Sequence, residues 1–156
     1  MNIVYLLLGS NKGERYKYLL LAQYYIRKQV GDIIKTSAVY VTEPWGKSNQ
    51  PKYLNQAMIL QTDKSPFQLL RLLQKIEKNL GRTNKHNYAS RTIDIDILFY
   101  DGVILKAKNL QIPHPRLHIR NFTLQPLLEL NKSYTHPIYN TSIEELAKVW
   151  DDTLKV

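Results

Sequence analysis

An order of segments sets the limits on how this chain folds. Two β-rich runs, 33–41 (Ile-Ile-Lys-Thr-Ser-Ala-Val-Tyr-Val) and 53–61, follow one another with only a polar loop between them. Outward from this pair, on both sides, come a helical run and then another strand-like run, at 2–8 and 92–100. Consecutive strands without a crossover helix pair antiparallel, because a parallel pair needs a connection of a dozen residues or more. The order β-α-β-β-α-β therefore points to helices packed on one face of an antiparallel sheet, and away from a doubly wound parallel sheet. The fold class expected is α+β: a ferredoxin-like β-α-β-β-α-β sandwich with an antiparallel sheet and a C-terminal extension.

Local signals place the elements. Between Gly13 and Val30, Tyr16, Leu19, Leu20, Tyr24 and Ile26 roughly follow the helical period, and Gly31-Asp32 stops the run. Ser65-Pro66 suits an N-cap followed by the first helical position. Leu69, Leu70, Leu72, Leu73, Ile76 and Leu80 then supply an apolar face that Gly81 ends. Residues 42–51 and 82–90 read as long polar loops, the second basic. Asp101-Gly102 is a hairpin signal, with a short strand at 103–105 expected to return along 92–100. Beyond Pro113 loops and short helices are expected, with a last helix near 142–150.

The 156 residues fit one domain, expected over 1–156, and suffice for a real core. No run of 18 apolar residues suggests a membrane span. Residues 1–8 lack a basic leader and meet Gly9-Ser10-Asn11 at once, so they read as a first strand rather than a signal peptide. The absence of cysteine excludes disulfides and thiolate metal sites and suits a cytoplasmic protein. A net charge of +9 attracts polyanions: nucleic acid, anionic membrane or nucleotide phosphate. Neither G-x-G-x-x-G nor G-x-x-x-x-G-K-[ST] is present, so the two common phosphate-cradling loops are missing.

The strand Arg91-Thr92-Ile93-Asp94-Ile95-Asp96-Ile97-Leu98-Phe99-Tyr100 carries the first chemical signal. Alternation places Asp94 and Asp96 on one face, about 6.6–7 Å apart along the chain. Ile93, Ile95 and Ile97 take the other face. Two readings fit. The strand can be an edge whose outer face is solvated, both aspartates paired with surface lysines. Alternatively, a divalent cation relieves the repulsion, and Mg²⁺ favours one or two carboxylates completed by water and phosphate oxygens. Flanking Arg91, Arg82 and Lys85 place base for phosphate beside acid for metal, the inventory of a Mg-nucleotide site.

Longer motifs then agree on a family. Gly9-Ser10-Asn11, Thr42-Glu43-Pro44, Tyr53-Leu54-Asn55, Leu80-Gly81-Arg82, Arg91-Thr92-Ile93-Asp94-Ile95-Asp96-Ile97-Leu98 and Ile112-Pro113-His114-Pro115-Arg116 occur in order at fitting intervals. Together they resemble 6-hydroxymethyl-7,8-dihydropterin pyrophosphokinase, over nearly the whole chain. The resemblance implies diphosphate transfer from ATP to a pterin alcohol in folate biosynthesis, with AMP as by-product and two Mg²⁺ ions held by Asp94 and Asp96. It implies a pterin pocket of Thr42, Pro44, Trp45, Tyr53, Asn55 and Phe122, the aromatic pair stacking on the pterin and the amide reading its edge. It further implies ATP contacts from Gln74, Glu77, Lys85, Tyr88, Arg91, Ile97, His114 and Arg120, with Arg82 and Arg91 joining the aspartates in catalysis. Long loops 42–52 and 82–91 would border the site as lids. ATP and the pterin are the partners expected, with no nucleic acid, no membrane and a monomeric state.

Taken singly, these residues have plainer readings. Tyr53 and Phe122 suit a core, Glu77 with Lys75 or Lys78 suits a charged surface, and His114 suits a turn before Pro115. A zinc pair His114-x₃-His118 shows no third ligand. The basic loop 82–90 departs from the family pattern. Asparagines stand at 84 and 87 where arginines are common, Tyr88 replaces a tryptophan, and Ala89-Ser90 replaces Gly-Pro. Altered nucleotide affinity is expected from this loop. A single-stranded RNA-binding module on the same fold is the main rival, but no RNP1-like run is present and such a platform has no use for paired aspartates. A metal-dependent nuclease would use the carboxylates and leave loop 42–52 and Asn55 without work.

Overall fold

The computed structural model describes residues 1–42, 52–81 and 92–154. Strand β1 (Asn2–Ser10) leads to helix α1 (Arg15–Gln29), then to β2 (Asp32–Thr36), β3 (Tyr40–Thr42) and β4 (Tyr53–Thr62). Helix α2 (Pro66–Asn79), β5 (Asp94–Tyr100), β6 (Leu105–Lys106) and β7 (Gln111–Ile112) follow. A 3₁₀ turn (Leu117–Ile119), α3 (Asn121–Asn131), β8 (Thr135–His136), β9 (Thr141–Ser142) and α4 (Ile143–Leu154) complete the order.

The main sheet runs β2-β4-β1-β5, with β3 also paired to β4, and every pairing is antiparallel. Sequence-adjacent β1 and β2 are thus separated by β4, the interleaving expected of a ferredoxin-like sheet. Alternation along β1 sorts its side chains cleanly. Val4, Leu6 and Leu8 face α1 and α2 in one core with Leu54, Met58, Leu60, Ile95 and Ile97. Tyr5 and Leu7 face a second core with Ala57, Leu98, Phe99, Leu127, Leu130 and Ile143, closed by the C-terminal extension. A sheet buried on both faces explains why β1 reads as an unbroken apolar run.

Helix α2 starts as its sequence dictates. The Ser65 side chain accepts from the Gln68 N–H, and the Gln68 side chain accepts from the Ser65 N–H, a reciprocal capping box followed by Pro66. Three local expectations are corrected. The β-rich run 33–41 is two strands, interrupted where Ser37 turns its N–H to the Ala57 carbonyl and its hydroxyl accepts from the Ala57 N–H. The buried face of α1 is Leu19, Ala22, Gln23 and Ile26, whereas Tyr16, Leu20 and Tyr24 are exposed. Those three recur every four residues, a helical row of their own, so periodicity alone did not tell the outer row from the inner one. Finally, the segment after Asp101-Gly102 does not return along β5. The turn forms, with Asp101 at φ 48°, but the strand that follows pairs with β7.

Candidate active site

The β-alternation of three adjacent strands brings the polar residues to one end of the sheet. On central β1, Gly9 stands opposite Asn55 of β4 on one side and opposite Asp94 of β5 on the other. Two residues back along β1, Leu7 stands opposite Asp96. Asp94 and Asp96 are both half-buried while Ile95 and Ile97 between and beyond them are buried. The aspartates therefore share the face of the second core, and the isoleucines share the helix face, as the alternation requires.

Gly9 is the floor of this row. A Cβ at that position would come within 3.2 Å of Asn55 Oδ1 and 3.9 Å of Tyr53 Cδ1. The ring leaves room for a methyl there, but the amide would have to give by a few tenths of an ångström. Asn55 is 4% exposed, and its Nδ2 donates to Thr42 Oγ1 at 2.9 Å. Register places Thr42 opposite Tyr53 and Tyr40 opposite Asn55. Strand β3 is held in turn by Glu129 of α3, whose carboxylate accepts from the Tyr40 hydroxyl at 2.7 Å and from the Ala38 N–H. Phe122, in the first turn of the same helix, lies half-buried against the second core with the Arg120 guanidinium 5.4 Å from its ring centre.

Positive charge and a neutral imidazole lie on the aspartate side. Burial pulls the Arg120 pKa down, the nearby Asp96 carboxylate opposes that pull, and Arg116 adds to it. Arg120 is thus near enough to both Phe122 and Asp96 to interact with the ring of one and the charge of the other. His114 is anchored by its own N–H to the Leu98 carbonyl, and its Nδ1 accepts from the Arg116 N–H. Burial, then Arg120 and Arg116, push its pKa down to about 4. At neutral pH the ring is uncharged with its proton on Nε2, a donor rather than a cation.

The structure thus gathers Thr42, Tyr53, Asn55, Asp94 and Asp96 at one end of the sheet, with Phe122, His114 and Arg120 contributed from the C-terminal extension. Two further expected nucleotide residues lie on the α2 side of the sheet rather than on the aspartate face. Ile97 is 5% exposed with its side chain in the helix-side core, not on the aspartate face. Glu77 is 4% exposed, so it is no surface charge. Its Oε2 accepts from the Ile95 N–H at 2.7 Å. Gln74, three residues earlier on α2, is half-buried. Pro44, Trp45, Arg82, Lys85, Tyr88 and Arg91 lie outside the described residues, as do residues 43–51 and 82–91 of the two loops expected to act as lids. In the reading of the sequence Gly9 ended the first strand and belonged to a family motif, but it had no role in the site. The signal was available, since a glycine ending an apolar strand marks close backbone approach.

Two half-exposed carboxylates on one strand face, beside an arginine and a neutral imidazole donor, form a donor set suited to Mg²⁺. That ion asks for few protein oxygens and takes the rest of its shell from water and phosphate. Among the described residues no cluster of three or more His, Cys, Asp or Glu side chains could cage a metal by itself. The same pairing of acid with base suits a phosphorylated substrate.

Residues 5–132 match the model of a family described as 7,8-dihydro-6-hydroxymethylpterin-pyrophosphokinase. A 2-amino-4-hydroxy-6-hydroxymethyldihydropteridine pyrophosphokinase of Aquifex aeolicus is 39% identical over 155 residues, covering 99% of this chain and 95% of the relative. One of Bacillus subtilis is 40% identical over 130 residues, covering 83% of this chain and 78% of the relative. Among solved structures, a Plasmodium falciparum HPPK-DHPS variant superposes with a TM-score of 0.81 at 19% identity, over 99% of this chain and 45% of that one. The chain spans less than half the length of such HPPK-DHPS structures, and their likeness concerns the fold.

Proposed function

The chain belongs to the 7,8-dihydro-6-hydroxymethylpterin-pyrophosphokinase family, and we propose that the row Asn55–Gly9–Asp94 is where its two substrates meet. The protein is a pyrophosphokinase of folate biosynthesis, transferring diphosphate from ATP to 6-hydroxymethyl-7,8-dihydropterin. In the transfer the pterin hydroxyl oxygen bonds to the β-phosphorus and the bond from that phosphorus to the α,β-bridging oxygen breaks. AMP leaves, and the hydroxyl proton passes to solvent.

The pterin half of the site lies on β4. Asn55 offers both a donor and an acceptor from one rigid amide, which suits the edge of a pterin ring. Thr42 Oγ1 takes one amide hydrogen and so fixes which way the amide turns. Tyr53 and Phe122 supply flat apolar surfaces for the ring, the latter backed by Arg120. Pro44 and Trp45 would add the loop side of this pocket.

The nucleotide half lies on β5 and the C-terminal extension. Asp94 and Asp96 would hold Mg²⁺, two ions on this reading. Bound there, Mg²⁺ would neutralise phosphate charge and lower the pKa of the attacking hydroxyl. Arg120 and the Nε2–H of His114 would meet the triphosphate, joined by Arg82, Lys85 and Arg91 from the loop between α2 and β5. Gln74 and Tyr88 would line the nucleotide. For chemistry of this kind, positioning and charge stabilisation supply most of the rate.

The observation that carries the reading is the shared register of Asn55 and Asp94 across Gly9. Adjacent strands lie about 4.7–4.9 Å apart, so the backbones that carry amide and carboxylate stand roughly 10 Å from each other, on the scale of a bicyclic alcohol and its attacked phosphate. The test is calorimetric titration of Asp94→Asn and Asn55→Ala. Asp94→Asn should lose Mg²⁺-dependent nucleotide binding and keep pterin binding, and Asn55→Ala should do the reverse. Loss of both ligands in each folded variant would contradict the division.

The whole of 1–156 would act as one pyrophosphokinase unit. No helix among the described residues is long and apolar enough to cross a membrane.

A further inference from the structure

Glu77 occupies a place where a carboxylate is costly. It follows Leu69, Leu73 and Ile76 on the buried face of α2 and is 4% exposed. An ionised group at that depth is tolerated only when it is paired. Its Oε2 accepts the Ile95 N–H at 2.7 Å, in the range of charge-assisted bonds.

Ile95 is the residue between Asp94 and Asp96. Among the described residues, strand β5 ends the sheet path, with β1 as its only strand neighbour there. One row of its backbone groups is therefore without a strand to pair with. Ile95 stands opposite Leu8, and its N–H goes to α2 instead. The chain just past α2 and the chain just before β5 also approach each other, where a Cβ at Gly81 would sit 3.7 Å from Thr92 Cγ2. The peptide joining Asp94 to Ile95 is planar. Fixing the direction of its N–H therefore fixes the plane from which the Asp94 side chain departs and steadies the pleat that carries Asp96.

We propose that Glu77 is a positioning residue for the cation site: it holds the Asp94–Ile95 peptide from the core side, so that both aspartates present their carboxylates together on the other face. The inference rests on the reading of Asp94 and Asp96 as Mg²⁺ ligands. It assigns Glu77 to the strand and not to the nucleotide. Partners that orient metal ligands cost about 10–100-fold in metal affinity when they are lost.

Four full-length proteins test it: wild type, Glu77→Leu, Glu77→Asp and Glu77→Gln. Leucine removes the acceptor, aspartate keeps the charge but loses reach, and glutamine keeps reach and an acceptor oxygen. The readouts are Mn²⁺ affinity by electron paramagnetic resonance with a non-hydrolysable ATP analogue, and hydrogen exchange of the Ile95 amide by NMR without ligands. Leucine and aspartate should abolish Ile95 protection and weaken Mn²⁺ binding about 10–100-fold, with glutamine close to wild type. If the leucine variant does not fold, the contrast between aspartate and glutamine decides. Lost Ile95 protection with unchanged Mn²⁺ affinity would reduce Glu77 to a structural clasp and overturn the proposal. So would weakened binding of the metal-free analogue in the glutamine variant, which would mean direct nucleotide contact. A wild type that binds no Mn²⁺ would instead sink the assignment of Asp94 and Asp96 themselves.

Discussion

Asn55 and Asp94 stand opposite the same residue, Gly9, from the two sides of the central strand. One carries an amide suited to reading a heterocycle, and the other a carboxylate suited to a cation. The sheet spaces them, since each lies within a strand paired to β1.

Substitution of their common neighbour should therefore separate the two halves of the site. A methyl at Gly9 meets Asn55 Oδ1 at 3.2 Å, so the amide must move by a few tenths of an ångström. Gly9→Ala is expected to raise the pterin KM about tenfold, equivalent to about 1.4 kcal/mol, and to leave the ATP KM within about twofold. Steady-state kinetics with each substrate varied in turn checks this.

Thr42→Val keeps the size of the side chain and removes the hydroxyl that receives Asn55 Nδ2. A buried donor left unpaired costs about 1–3 kcal/mol. The variant should unfold at a lower denaturant midpoint, with part of the loss recovered when pterin binds and offers a new acceptor. Urea titrations with and without pterin measure both quantities.

Arg120 lies 5.4 Å from the ring centre of Phe122 and feels the charge of the Asp96 carboxylate, so one side chain relates to both halves of the site. Arg120→Met retains much of its apolar stem and loses the charge. Its ATP KM should rise by an order of magnitude or more, since charge-assisted contacts contribute about 1.5–3 kcal/mol. Tryptophan or nucleotide-analogue fluorescence titration, read against turnover, distinguishes lost binding from lost rate.

Acid should weaken the fold through two histidines. His114 and His136 are both held well below the ordinary imidazole range, to about 4, by burial first. For His136 the neighbouring His118 adds to the effect. The unfolded chain binds protons at these positions near pH 6.5 and the folded chain does not. Their stabilising contribution is therefore full above about pH 6.5 and is lost as pH falls toward about 4. His136 Nδ1 accepts from the Ile138 and Tyr139 N–H groups, a pattern that an asparagine oxygen can imitate. His136→Asn should flatten the decline between pH 6.5 and 4.5, which unfolding midpoints across that range would reveal.

The fold was legible because pattern and order agree. The paired strands without a helix between them, the helix start at Ser65-Pro66 and the alternation through Asp94 and Asp96 all act locally and leave local marks. The face of α1 was not legible: Tyr16, Leu20 and Tyr24 keep the same period as the row that is buried, and only the packing partner distinguishes them. The partner of Leu105 was hidden for a similar reason, since the turn at Asp101 fixes a change of direction but not the strand that pairs next. In the site, the aspartates and Asn55 were readable as chemistry. Glu77 could have been suspected from a charge standing at the spacing of Leu69 and Leu73, but its bond to Ile95 is a contact across 18 residues that no short motif records.

The most direct test of the account is product analysis after mixing the protein with Mg-ATP and 6-hydroxymethyl-7,8-dihydropterin, beside an Asp94→Asn variant that still binds pterin. The account predicts AMP and pterin diphosphate in equal amounts from the wild type, and loss of both from the variant. ADP as the nucleotide product, or undiminished AMP from Asp94→Asn, would contradict it.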